Sequence, residues 1–107
     1  MWKSVAKVED VKKQGKMRIE SGKEAILLSV VNDQIYAIAD KCPHLGHSLF
    51  KGSLENEVLT CAAHHAQIDV TNGKVVGKAK IAFIKMNVKD TKTYPVKIDQ
   101  AHVLVDI

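Results

Sequence analysis

Two short residue pairs set the terms for this chain: Cys42-Pro43-His44 and, sixteen residues later, Cys61-Ala62-Ala63-His64. They take both cysteines and two of the five histidines. Each pair offers one thiolate, a soft anionic ligand, and one imidazole, a neutral ligand of intermediate softness. Two of each suit zinc or an iron–sulfur cluster. Any fold for the chain must present two loops, each carrying one cysteine and one histidine.

Charge counting shows what a mixed set gains. An oxidised 2Fe–2S core on four thiolates carries a formal charge of about −2, and on two thiolates and two neutral imidazoles about 0. A neutral cluster accepts an electron more readily. Its potential therefore lies at roughly −150 to +300 mV, against about −400 mV for the four-thiolate plant type. Zinc is the competing metal. Structural zinc sites space their ligands as C-x₂₋₄-C or H-x₃₋₅-H on a knuckle or helix. The single-residue gap of Cys42-Pro43-His44 fits that poorly.

With these residues the sequence resembles the Rieske family. The resemblance rests on Cys42, His44, Leu45, Gly46, Cys61 and His64. It is supported by Ile35-Tyr36-Ala37-Ile38 before the first loop, and by Asp69, Thr71 and Asn72-Gly73-Lys74 after the second. It implies a 2Fe–2S cluster with Cys42 and Cys61 on one iron and His44 and His64 on the other. His65 follows His64 directly, and either imidazole is within reach of a metal; the family pattern selects His64. Leu45 and Phe50 are expected to shield the cluster, and Pro43, Gly46 and Gly52 to shape the backbone around it.

Three departures from the family matter. Respiratory relatives tie the two ligand loops with a disulfide whose cysteines would stand at His47 and Ala63, so that bridge is excluded here. High-potential relatives carry a serine and a tyrosine two and four residues after the second histidine. Here these are Ala66 and Ile68, which have no side-chain donor, so the resemblance implies a low-potential member. Where the family has a proline-rich covering loop after Gly77, this chain has Lys78-Ala79-Lys80, which predicts a looser, more charged edge.

With 107 residues the chain is expected to form one domain spanning 1–107, the cluster-binding part lying at about 40–81. A Cys42–Cys61 disulfide is rejected, because each thiol has a histidine at ligand spacing and no secretion signal accompanies it. No apolar run approaches the ~20 residues of a membrane span. Met1-Trp2-Lys3-Ser4 leads into no signal-peptide h-region, so the cytoplasm is the expected compartment. The net charge of +4 reads as lysine-rich solubility, or as steering toward an acidic partner. Nucleic acid is excluded as a partner: the lysines are scattered, Arg18 is the only arginine, and aromatics are too few for base stacking.

The texture is all-β. Strands are predicted at Trp2–Lys7, Lys16–Glu20, Ala25–Val31, Gln34–Ala39, Glu57–Thr60, Gln67–Val70, Lys74–Val76, Ile84–Val88, Thr93–Ile98 and His102–Asp106. Asn32-Asp33, Asn72-Gly73 and Asp99-Gln100 read as turns. The one short helix is Val8–Lys13. Leu49, Leu54 and Ile68 are core candidates, and His102 reads as structural. The expected fold is a Rieske-like antiparallel β-sandwich or barrel with an inserted cluster-binding subdomain.

By the resemblance, the expected function is that of a soluble, monomeric Rieske-type ferredoxin, a one-electron carrier and not itself an enzyme. An NAD(P)H-dependent flavin reductase would be its donor, and a terminal oxygenase or other redox enzyme its acceptor. The alternatives are a small Rieske subunit of a larger, nitrite-reductase-like assembly and, more remotely, a zinc-stabilised binding module.

Overall fold

The apolar run Ala25–Val31 alternates too little for a strand with one wet face, and a strand buried on both faces explains why. In a computed structural model, which describes residues 1–41, 48–62, 66–77, 79–81, 84–86 and 90–107, this run lies in the middle of the molecule. In chain order the elements are β1 (Trp2–Lys7), α1 (Val8–Gln14), β2 (Lys16–Ser21), β3 (Glu24–Val31) and β4 (Gln34–Ala39). A single 3₁₀ turn follows at Leu49–Lys51. Then come β5 (Ser53–Glu55), β6 (Val58–Thr60), β7 (Gln67–Asp69), β8 (Val75–Gly77), β9 (Ala79–Ile81), β10 (Ile84–Met86), β11 (Thr93–Tyr94), β12 (Val96–Asp99) and β13 (His102–Asp106).

Strands β11-β4-β3-β2 form the central antiparallel sheet. The β3–β4 register runs from Ile26↔Ala39 to Val31↔Gln34, across a two-residue turn in which Asn32 and Asp33 both take positive φ (50° and 67°). Asn and Asp tolerate that region better than other side-chain-bearing residues, so this local chemistry sets the register. Side chains then alternate between two cores. On one face Ile26, Leu28, Ile35 and Ala37 pack with Val11, Tyr94, Val103 and Val105. On the other, Leu27, Val31 and Ile38 pack with Leu49, Leu59, Cys61, Ala66, Ile68 and Val70. Each fully buried Leu, Ile or Val side chain is worth about 1.5–3 kcal/mol of apolar transfer.

The first core is closed by the sheet β1-β13-β12 and by α1, which buries only Val11. The helix has Glu9 and Asp10 in its first turn and Lys12 and Lys13 in its last, matching its dipole. It stops at Gly15, whose φ of 82° is costly for a residue with a Cβ. The second core is closed by the sheet β5-β6-β7-β8, which lies between β4 and β11 in sequence. The architecture is thus all-β and antiparallel, as expected, in layers on both faces of the central sheet.

Some boundaries differ from expectation. Thr93–Ile98 is not one strand. Pro95 has no N–H to donate to a ladder, and there the chain passes from the central sheet (β11 on β4) to the outer one (β12 on β13). Ala79 and Lys80, expected in a loop, belong to β9, which pairs with β10 through Ile84↔Ile81 and Met86↔Ala79. The final hairpin turns at Gln100-Ala101, both at positive φ, one residue later than expected. Strand β5 was not anticipated. Leu49 and Ile68 are fully buried, and Leu54 packs against their core.

Candidate metal centre

The second Cys–His pair begins where β6 ends. Cys61 is fully buried and a free thiol. Its N–H donates to the Ala66 carbonyl at 2.8 Å. Leu59, Ala66, Ile68 and Val70, members of the same core, surround it with apolar side chains. Antiparallel pairing of Leu59 with Ile68 and Thr60 with Gln67 holds β6 and β7, on either side of the second Cys–His pair, in register. Gly52 lies against β6: a Cβ there would stand 2.1 Å from the Thr60 carbonyl oxygen.

Cys42, Pro43, His44, Leu45, Gly46, His47, Ala63, His64, His65 and Lys78 lie outside the described residues. Among the described residues no group of three or more metal-ligating side chains gathers. The flanks of the first pair are described, and they converge on Asp40. Its carboxylate is buried and accepts three hydrogen bonds. Ser48 Oγ (2.6 Å) and Arg18 Nε (2.7 Å) donate to Oδ2, and the Phe50 N–H (2.7 Å) donates to Oδ1. The Asp40 N–H donates to the Ala25 carbonyl at 2.9 Å.

Two cations offset this buried anion. Arg18 pairs with both Glu20 and Asp40, and these two bonds, Glu20's the larger in effect, raise its pKa further above the ordinary guanidinium value. Lys16 Nζ donates to the carbonyls of Phe50 and Gly52. Burial pushes the Lys16 ammonium below the usual lysine pKa, and the charge of Asp40 opposes that shift. Phe50, expected to shield the centre, is 37 % exposed, and its ring packs beneath the Lys16 ammonium at 5.0 Å.

After the second pair, Asp69 Oδ1 accepts from the Thr71 N–H (2.9 Å) and Oγ1 (2.6 Å), and Asn72 Oδ1 accepts from the Lys74 N–H. Gly73 takes φ 74° with Thr91 packed against it. The residues flanking the ligand motif thus build the turn between β7 and β8. Ala66 and Ile68 are both fully buried, so no hydroxyl enters the core from either position. Ser29 Oγ and Thr91 Oγ1 are buried without a partner among the described residues. His102 sits on the far sheet with Nδ1 3.0 Å from the Gln100 carbonyl oxygen. Sequence reasoning missed Asp40; its one visible signal is an acid placed at the end of an apolar strand, two residues before a candidate ligand cysteine.

A 2Fe–2S cluster fits what is described. The buried free thiol of Cys61 lies among apolar side chains, a setting that would keep water from a thiolate-held cluster.

Comparison with known proteins agrees. The family model described as "Rieske [2Fe-2S] domain" matches residues 1–95. The ferredoxin component of biphenyl 2,3-dioxygenase from Rhodococcus jostii is 35% identical over 91 residues, covering 85% of this chain and 78% of that protein. The ferredoxin component of a naphthalene 1,2-dioxygenase/salicylate 5-hydroxylase system from Ralstonia is 30% identical, covering 97% and 93%. In fold, the chain is similar to the ferredoxin of carbazole 1,9a-dioxygenase from Nocardioides aromaticivorans, with TM-score 0.80, 21% identity and coverage of 98% and 96%. The zinc-module alternative has no support from any of these relatives. The chain belongs to the Rieske [2Fe-2S] domain family.

Proposed function

We propose that this protein is a Rieske-type ferredoxin, an electron carrier that delivers single electrons to a terminal oxygenase and is not itself an enzyme. The observation that carries the reading is the family match over residues 1–95, joined to relatives at 30–35% identity named as ferredoxin components of dioxygenase systems. Cys42 and Cys61 would hold one iron and His44 and His64 the other. When bound, the cluster supplies one-electron chemistry at its histidine-ligated iron. The chain keeps the ligand set fixed: Cys61 is anchored through the Thr60–Gln67 ladder and the Ala66 carbonyl, and the flanks of the first pair through Asp40. Ligands that do not move keep reorganisation small.

The donor is an NAD(P)H-dependent flavin reductase. The working compartment is the cytoplasm; no helix among the described residues is long and apolar enough to cross a membrane. The chain acts as one domain over 1–107, its cluster-binding part at about 40–81, and as a monomer. A reconstituted system tests this. With NADH, a flavin reductase and a dioxygenase-type oxygenase, product should form only when the chain is added, and His64→Ala should abolish it. A holoprotein that takes no electron from dithionite would contradict the proposal.

A further inference from the structure

We infer that Asp40 is a positioning residue that staples together the two ends of the first ligand-bearing segment and so governs how long the cluster stays bound. This rests on the ferredoxin reading above. Asp40 stands immediately before residues 41–47, and two of its three donors, Ser48 and the Phe50 N–H, stand immediately after them. The third, Arg18, comes from β2, so the clasp is tied to the central sheet as well. The Asp40 N–H completes it from β3, through the Ala25 carbonyl.

A buried carboxylate is costly unless every oxygen is paired. An apolar residue would fill the end of β4 more cheaply, so packing does not explain an acid here. What a carboxylate does and an alkyl group does not is join donors from three separated chain positions through charge-assisted bonds. The segment needs such a closure, because both cysteines are assigned as cluster ligands and no disulfide is left to tie it. Lys16, bonded to the Phe50 and Gly52 carbonyls, holds the same stretch from its other side.

The test uses holoprotein. Transfer of iron to a strong ferrous chelator is timed for wild type, Asp40→Asn, Ser48→Ala and Tyr94→Phe, and exchange of the Phe50 amide hydrogen is followed in each. Asp40→Asn is expected to release iron about tenfold faster or more, and Ser48→Ala a few-fold faster, since each loses charge-assisted bonds. Phe50 amide exchange should rise in Asp40→Asn. Tyr94→Phe removes a neighbouring hydrogen bond, to Glu24, that is not part of the clasp; it controls for a small general loss of stability and should change both readouts far less than Asp40→Asn. If Asp40→Asn does not fold, Ser48→Ala, which deletes one donor, carries the test. Release in the folded Asp40 or Ser48 variant at the wild-type rate, or equal acceleration in Tyr94→Phe, overturns the inference while leaving the ferredoxin reading intact. A wild-type chain that holds no cluster overturns both.

Discussion

Gly52→Ala tests whether the backbone packing beside Cys61 is as tight as the geometry requires. An ideal Cβ on Gly52 would lie 2.1 Å from the Thr60 carbonyl oxygen and 3.2 Å from that of Leu49. A relaxed carbon–oxygen contact sits at about 3.3 Å or more, so one backbone must retreat by about 1 Å. Neither is free to do so. The Gly52 N–H is bonded to the Leu49 carbonyl, and Thr60 is paired with Ser53 on one side and Gln67 on the other. Overpacking against backbone belongs at the upper end of its range, about 3 kcal/mol. Loss of glycine's freedom in the unfolded chain returns about 0.4–1 kcal/mol. The net is a destabilisation of about 2 kcal/mol, or roughly 8–16 °C in Tm for a chain of this size. Thermal and denaturant unfolding of anaerobic holoprotein measures it. Gly22→Ala is the control: nothing lies within 4 Å, so it should cost only the strain of its φ of 59°, about 1–2 kcal/mol before the same unfolded-state return and about 1 kcal/mol after it. If Gly52→Ala unfolds within about 0.5 kcal/mol of wild type, well below the overpacking range, the close approach of these two segments is wrong.

Ala66→Ser should raise the midpoint potential by tens of millivolts, on the order of 1 kcal/mol for one hydrogen bond to the reduced cluster, as read by protein-film voltammetry. Ile68→Tyr is the less clean partner experiment, because Ile68 is fully buried and the larger ring would strain the core. Tyr94 has a pKa raised above the usual phenol value, first by burial and then by its hydrogen bond to Glu24. Below about pH 10 both folded and unfolded chains keep the proton; above it the unfolded chain loses its proton first, so this stabilisation fades as pH rises. Tyr94→Phe should therefore be less stable than wild type at pH 8 and close the gap at pH 11; a constant gap in denaturant midpoint would refute the assignment. His64→Ala should lose the cluster and His65→Ala keep it, judged by visible absorption, and the opposite outcome would reverse the ligand choice.

How legible the fold was depends on the kind of signal. Strands Trp2–Lys7, Gln34–Ala39 and His102–Asp106 follow directly from alternation between turn residues, and their bounds agree with the structure. Ser53–Glu55 and Ala79–Ile81 are three residues each, too short for a period to show. The break at Pro95 was visible in principle, since a proline inside an apparent strand argues against it. Of the candidate site, Cys61 was legible because thiol and imidazole spacing is a local pattern. Asp40 was not, because its donors lie 8, 10 and 22 residues away, and only the folded sheet brings Arg18 beside the end of β4.

Whether the two Cys–His pairs hold a Rieske cluster is decided by iron and acid-labile sulfide analysis combined with EPR of the dithionite-reduced, anaerobically purified protein. Red-brown protein with about two irons and two sulfides per chain is expected, with a signal from a reduced, histidine-ligated 2Fe–2S pair. Colourless protein carrying zinc, or iron without sulfide, would contradict it.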